Sequence, residues 1–199
     1  MSSKLAIFLM SGILAGAGAA YLILNLPARD PTQQASQGRA AIGGPFSLID
    51  TTGTRRTEKD YLGKPMLVFF GFTNCPDICP SALQTITVAL DTLGDKADRL
   101  TPVFITLDPE RDTPEVLAAY VKSFHSRIQG LTGSPEEVQA AIKAYRVYAK
   151  KVADESDPSR YSVDHSGFFY LMDAQGTYLT HFPHSIDAEQ LAAKLLPRL

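Results

Sequence analysis

The stretch that most constrains the fold is 66-MLVFFGFTNCPDICP-80, in which a continuous apolar run leads directly into two cysteines. Residues 66–72 contain no charged side chain, and Pro65 and Asn74 bound them. This pattern predicts a strand buried on both faces of a sheet. Residues 80–93 mix apolar and polar side chains as a helix does, with Pro80 in the first turn. The chain is therefore expected to run from a buried strand through the cysteines into a helix.

Strands and helices are expected to alternate along the rest of the chain. A hairpin should turn at Gly53, and Thr113, Ser134 and Asp187 are typical helix caps, Ser134 within a capping box. Further strands are expected at residues 103–107, 148–152, 168–172 and 178–182. This alternation predicts an α/β fold, with a central mixed sheet flanked by helices and an N-terminal hairpin. A buried strand, a cysteine pair and a helix, in that order, are typical of a thioredoxin-like fold.

The N-terminal segment suits a membrane anchor. From Leu5 to Leu26 about 22 residues carry no charge, which is enough for a helix to cross a bilayer. A cleaved signal peptide is the alternative, but the apolar run continues past the small residues where cleavage would fall. We expect an anchor over residues 1–26, a flexible tether over 27–41 and one soluble domain over 42–199. Lys4 precedes the span, which favours an N-terminus in the cytoplasm and the domain outside it.

The two cysteines, Cys75 and Cys79, admit three uses: a structural disulfide, a redox couple or part of a metal site. Closing a loop of about five residues contributes roughly 2 kcal/mol, and a domain of this size has little need of it. Cys79 precedes Pro80 and is therefore expected at the helix entrance, where thiolate is stabilised; a thiolate serves both redox chemistry and metal binding. Thioredoxin-type enzymes use C-x-x-C, whereas this chain has C-x-x-x-C. The wider spacing still permits a disulfide and also suits two thiolates that converge on one ion.

A third metal ligand would have to come from the four histidines. His125 follows a helix among polar residues and is expected at the surface. His181 and His184 flank a Phe-Pro pair near a strand end, without nearby acids or cysteines. His165 lies just before an apolar strand, so it is expected on a strand-edge loop that faces the cysteines. The pattern alone leaves a surface or structurally paired histidine as an open alternative.

Three stretches together resemble the Sco/SenC family of copper-binding, membrane-anchored, thioredoxin-like proteins: 71-GFTNCPDICP-80, 106-TLDPERDTPEVL-117 and 163-VDHSGFFYLMD-173. The resemblance extends from about residue 42 to the C-terminus. It implies that Cys75, Cys79 and His165 bind one copper ion, as Cu(I), Cu(II) or both. It also implies a role in assembling the binuclear copper site of cytochrome c oxidase subunit II. A thiol-disulfide reductase activity toward that partner is also proposed for members of the family.

The ligand chemistry agrees with this resemblance. Two thiolates and an imidazole favour copper over magnesium or calcium, and three ligands satisfy Cu(I). A closed structural zinc site normally has four protein ligands. No ligand role is expected for residues 108–113, where Asp112 and Thr113 are explained as helix-start residues and Asp108 as the end of a strand near the site.

The expected function is therefore a copper metallochaperone, single-pass in a bacterial inner membrane, with its C-terminal domain in the periplasm. Its partners would be oxidase subunit II and another periplasmic copper chaperone or a thiol reductase. The alternative is a thiol-disulfide oxidoreductase whose catalytic redox pair is Cys75 and Cys79; a copper-responsive redox sensor is a third possibility. A net charge of -2 without a basic block gives no indication of nucleic-acid binding. The N-terminus lacks an Arg- and Ser-rich presequence, which favours a bacterial over a mitochondrial membrane.

Overall fold

The computed structural model describes residues 41–153, 157 and 161–199, and Ala41–Leu199 form one unit around a single core. The expected anchor over 1–26 and all but the last residue of the expected tether lie outside the described residues. No helix in the described ranges is long and apolar enough to cross a membrane. The expected domain boundaries stay predictions.

The described chain forms nine strands and four helices. The strands are β1 Ser47–Asp50, β2 Arg55–Thr57, β3 Met66–Gly71, β4 Thr101–Thr106, β5 Gln129–Thr132, β6 Ala149–Ala153, β7 Tyr161–His165, β8 Phe168–Met172 and β9 Tyr178–Pro183. The helices are α1 Ile78–Leu93, α2 Pro114–Lys122, α3 Pro135–Ala144 and α4 Ala188–Leu195, with short 3₁₀ turns at Glu58–Tyr61, Gly94–Arg99 and Leu196–Arg198.

Seven strands form one mixed sheet in the order β2-β1-β5-β4-β3-β8-β9. The strand β3 runs parallel to β4, and β4 runs parallel to β5, whereas the other neighbours are antiparallel. Helices α1 and α4 pack on each other, while α2 packs against β5 and α3 against β1. The strands β6 and β7 pair only with each other, in a separate two-stranded antiparallel sheet. The expected α/β fold, with a mixed central sheet flanked by helices, is confirmed.

The predicted elements agree with the structure except at some ends and in two strands. The hairpin of β1 and β2 turns at Gly53, whose φ of +81° is a conformation that favours glycine. The strands β5 and β7 were not predicted, because β5 contains a glycine and β7 buries a single residue, Val163. The helix α1 begins at Ile78, two residues before the expected Pro80.

The position of the site follows from β3, all six of whose residues are buried between β4 and β8. The last of them, Gly71, has the side-chain sulfur of Cys79 and the ring of Phe104 packed against its Cα. A Cβ added at Gly71 would lie 2.8 Å from each of these two groups. A strand buried on both faces thus ends at a residue without a side chain, and this leaves room for one cysteine.

We expect Gly71→Ala to lower the free energy of unfolding by about 1–3 kcal/mol, because overpacking forces Cys79 or Phe104 to move. Urea denaturation of the purified chain measures this change. An unfolding midpoint equal to that of the wild type would show that the neighbourhood of Gly71 accommodates a methyl group without cost.

Candidate metal centre

The loop between β3 and α1 places Cys75 at the N-terminus of the helix. Asp77 occupies the N-cap position, but its side chain makes no capping hydrogen bond. The backbone N–H of Cys79 instead donates to the sulfur of Cys75, at 3.4 Å. The sulfur thus accepts one of the N–H groups that a helix start leaves without a partner. Negative charge on Cys75 is favoured at this position.

Cys79 lies inside the first turn of α1 rather than at its entrance. The residue before a proline is usually biased away from helical geometry, but here the helix begins at Ile78 and includes both Cys79 and Pro80. Pro80 is tolerated because N–H groups in the first turn have no partner within the helix. As a result, Cys79 is fully buried, whereas Cys75 is partly exposed.

The two sulfurs differ in their affinity for a proton. The hydrogen bond from the Cys79 thiol is the main reason why the pKa of Cys75 is lowered to about 3. Partial burial acts in the opposite direction and raises this pKa. Hydrogen bonds from His165 and from the backbone of Asp77 and Cys79 lower it further. The same hydrogen bond to Cys75, together with burial, raises the pKa of Cys79 far above its usual value. At neutral pH the pair therefore holds one thiolate, on Cys75, and one thiol, on Cys79.

His165 is brought to the cysteines by β7. It is the last residue of that strand, not part of a loop as expected, and it pairs with Ala149 of β6. Its Nε2 lies 3.6 Å from the sulfur of Cys79, and its Nδ1 lies 3.1 Å from the carbonyl oxygen of Ser166. The rings of Phe69 and Phe72 meet the imidazole edge-on. If Nδ1 keeps the proton that it donates to the carbonyl, loss of the Nε2 proton would make the Nε2 lone pair available to a metal ion.

The separation of these donors fits a shared metal ion. An ion about 2.3 Å from a sulfur and about 2.0 Å from a nitrogen, at an angle of roughly 110–120°, holds the two donors about 3.6 Å apart. The observed distance from Cys79 to His165 is 3.6 Å. Within the described residues, no group of three or more His, Cys, Asp and Glu side chains is already arranged as a metal cage. The candidate ligand set is therefore inferred from two pairwise contacts, Cys75 with Cys79 and Cys79 with His165.

The other histidines make contacts of a different kind. His125 lies 3.7 Å from the carboxylate of Asp91. His181 packs against Phe168 and Tyr178, and His184 contacts the carbonyl of Gly167. In the described part of the chain, His165 is the histidine that touches a cysteine sulfur.

Sequence reasoning missed the role of Asp112. Its carboxylate is fully buried and accepts hydrogen bonds from the backbone N–H and hydroxyl of Thr73, at 3.0 and 2.6 Å, and from the hydroxyl of Thr106, at 2.5 Å. The expected helix cap is Thr113 alone, whose side chain accepts from the N–H of Val116. Asp112 therefore fixes the loop that leads to Cys75. An acidic residue just before a cap looks like part of the helix start, so the sequence pattern concealed this contact.

One side of the site is open. A cleft of about 600 Å³ runs beside Cys75, and its described lining includes Thr73, Asn74, Arg111, Tyr161 and Asp164. A second hollow of about 370 Å³ reaches both Cys75 and His165. Cys79 lines neither of them. The thiolate of Cys75 and the imidazole can thus be approached by a partner, whereas the thiol of Cys79 lies beneath them.

Comparisons with known proteins identify the family that the chain resembles in sequence and fold. The family model described as SCO1/SenC matches residues 34–198. The SCO2-like protein RP587 of Rickettsia prowazekii is 39% identical over 93% of this chain and 92% of its own length. The structure of Bradyrhizobium japonicum ScoI with copper bound is similar, with a TM-score of 0.75, 45% identity and coverage of 80% of this chain and 100% of that one. Yeast Sco1 with copper bound has a TM-score of 0.72 and 44% identity, over 79% of this chain and 88% of that one.

The lowered pKa of Cys75 predicts a flat pH profile for its alkylation by iodoacetamide. With a folded-state pKa of about 3, its thiolate fraction is already complete at pH 5 and does not rise toward pH 8. An ordinary thiol would react about tenfold faster for each pH unit over this range. Rates are measured by mass spectrometry of the modified peptide.

Two variants control this measurement. Cys75→Ala should abolish the fast reaction at pH 5. Cys79→Ala removes the hydrogen bond that contributes most to the lowered pKa, so the Cys75 rate should regain a pH dependence. A tenfold rate increase per pH unit in the wild type would contradict the assignment of the thiolate to Cys75.

Proposed function

The chain belongs to the SCO1/SenC family, and from this premise we propose that it is a membrane-anchored copper metallochaperone. Copper is its cargo, held by Cys75, Cys79 and His165 and passed on during assembly of the binuclear copper site of cytochrome c oxidase subunit II. The observation that carries the proposal is the contact of His165 Nε2 with the sulfur of Cys79, beside the helix N-terminus that holds Cys75.

The donor set supports copper as the cargo. Thiolates and imidazole are soft to borderline ligands, and they suit Cu(I) and Cu(II) better than hard cations. Cys75 is already deprotonated at neutral pH, whereas Cys79 must lose its proton to become a second thiolate ligand. Copper binding is therefore expected to release a proton, and copper affinity should fall as the pH falls. The ScoI and yeast Sco1 structures, both solved with copper bound, are similar to this chain at 45% and 44% identity.

The open side of the site supports delivery rather than permanent storage. Three protein ligands leave a position from which a partner's donor can attack, and Cys75 faces a cleft of about 600 Å³. A partner thiolate or imidazole can then replace the ligands one at a time. A closed site with four protein ligands would have no such entry.

The proposed location is a bacterial inner membrane. Residues 1–26 would cross it once, 27–41 would act as a tether, and the domain over 42–199 would lie in the periplasm. The uncharged run from Leu5 to Leu26 supports this placement. The chain's match to a rickettsial protein over 92% of that protein's length favours a bacterial setting. Partners there would be subunit II and a periplasmic copper chaperone or thiol reductase.

A second candidate function is thiol-disulfide exchange, favoured by the asymmetry of the cysteines. The accessible Cys75 thiolate would attack a partner's disulfide, forming a mixed disulfide as one partner thiolate leaves. Cys79 would then attack the Cys75 sulfur, and its proton would go to the second partner sulfur. The partner would gain one thiolate and one thiol, and this chain would hold a Cys75–Cys79 disulfide, which an external thiol reductant must reduce.

Copper titration of the reduced, purified chain tests the ligand set. We expect one copper per chain in the wild type. Affinity should fall in Cys75→Ser, Cys79→Ser and His165→Ala by more than the roughly 10–100-fold that changes beyond the ligand shell typically cause. The control variants His125→Ala and His181→Ala should retain wild-type affinity. If His165→Ala leaves both the copper affinity and the thiolate-to-Cu(II) absorption unchanged, the three-ligand site is wrong.

Complementation of a strain that lacks the protein separates the two candidate functions. We expect the His165→Ala chain to fail in oxidase assembly, because copper delivery needs the imidazole whereas disulfide reduction needs only the cysteines. Oxidase activity in membranes and the reduction of a model disulfide are measured for the same variant. Restored oxidase activity in a variant that binds no copper would favour the reductase function.

A further inference from the structure

We propose that the turn over residues 106–113 sets the distance between the histidine and the cysteines, and that Tyr161 is the positioning residue for His165. This inference rests on the proposed copper site. It gives a role to the 108-DPERDT-113 stretch, which supplies no proposed ligand. The turn is compact, because the N–H groups of Arg111 and Asp112 both donate to the carbonyl oxygen of Asp108.

A buried carboxylate, that of Asp108, holds Tyr161. Asp108 is fully buried and accepts hydrogen bonds from the hydroxyl of Tyr161, at 2.7 Å, and from Nε of Arg111. The guanidinium of Arg111 also lies over the Tyr161 ring, 3.7 Å from its centroid, and donates to the Tyr161 carbonyl at 3.1 Å. Tyr161 is thus held by its hydroxyl, its ring and its backbone. A buried carboxylate requires such partners, so these contacts are strongly favoured.

The strand β7 connects this tyrosine to the site, because Tyr161 is its first residue and His165 its last. Alternate residues of a strand lie on one face, so Tyr161, Val163 and His165 share a face. Val163 is buried at the middle of that face, while Ser162 and Asp164 are exposed on the other. The strand β7, which we call the arm, therefore holds the tyrosine and the imidazole at opposite ends, roughly 13 Å apart along the backbone.

The arm needs this attachment because β6 and β7 are not hydrogen-bonded to the central sheet. An isolated two-stranded sheet is at best marginally stable, so its position depends on side-chain contacts and on the two-residue link from His165 to β8. Lys151 of β6 adds to the attachment, since its ammonium pairs with Glu110 at 2.7 Å and lies 4.8 Å from the centroid of the Tyr161 ring. Both contacts again involve the 106–113 turn or the tyrosine that the turn holds.

The same turn holds the cysteine side of the site through Asp112. Its carboxylate clamps Thr73, two residues before Cys75 in the loop. Asp108 and Asp112 are separated by one turn of backbone, and each anchors a different ligand-bearing segment. The separation of the two segments is therefore set by the turn between the aspartates.

The test is Tyr161→Phe, which removes the hydroxyl bonded to Asp108 but keeps the ring beneath Arg111. Cu(I) affinity of the full-length chain, purified in a mild detergent, is measured by competition with a chromophoric Cu(I) chelator, in the wild-type and the His165→Ala backgrounds. We expect a loss of about tenfold in the wild-type background, typical of changes beyond the ligand shell. In the His165→Ala background we expect no further loss, because the tyrosine acts only through the histidine.

Two further readouts separate positioning from general destabilisation. In the copper-free protein, backbone amides of β7 should exchange with solvent several-fold faster in Tyr161→Phe, while those of β3 should not change. The thiolate-to-Cu(II) absorption should shift toward that of His165→Ala. Tyr148→Phe is the matched control, since this exposed tyrosine lines the hollow that reaches Cys75 and His165 and its hydroxyl makes no described contact. It should behave as the wild type in all three measurements.

The outcomes distinguish this inference from the proposed function. If His165→Ala does not weaken copper binding, the proposed ligand set is wrong and this inference falls with it. If His165→Ala weakens binding but Tyr161→Phe has no effect, or has the same effect in both backgrounds, only the positioning role is wrong.

Discussion

The hydrogen bond from the Cys79 amide to the Cys75 sulfur joins the fold to the chemistry of the site. It completes the start of α1, where the side chain of Asp77 makes no cap, so the helix and a reactive thiolate depend on the same atom. It also places Cys79 one turn further in, beneath the surface and against Gly71. The difference between the two cysteines, one charged and accessible and one protonated and buried, follows from this local geometry.

Much of the fold could be predicted because its central elements follow strong patterns. Residues 66–71 are apolar on both faces and form a fully buried strand, and the caps at Thr113, Ser134 and Asp187 mark the starts of three helices. The strands β5 and β7 were missed for a physical reason. The first is four residues long with a glycine inside. The second does alternate, but only Val163 is buried on its inner face, so its apolar pattern is too short to mark a strand.

The site was less accessible to sequence reasoning than the fold. Cysteine spacing and a helix entrance predicted reactive thiols, but the choice of His165 among four histidines depended on a family resemblance, since its own sequence context also suits a surface residue. The contact between His165 and Cys79 joins residues 86 positions apart. Carboxylates such as Asp108 and Asp112 look like ordinary turn and cap residues until the structure shows that both are fully buried. Such tertiary hydrogen bonds join residues at no regular spacing along the chain, so the sequence carries no local signal of them.

The separation of the two sheets has a consequence for how the site opens. The cysteine loop follows β3 directly. The strand β7 joins β8 through two residues, but the β6–β7 pair has no hydrogen-bonded neighbour in the central sheet and is held against it by side-chain contacts. Local opening free energies differ in the same sense, being low for peripheral hairpins and high for central strands. The imidazole and the sulfurs thus lie on segments that are attached to the central sheet in different ways. For the proposed copper site, this difference predicts that the histidine can withdraw while both cysteines keep their places.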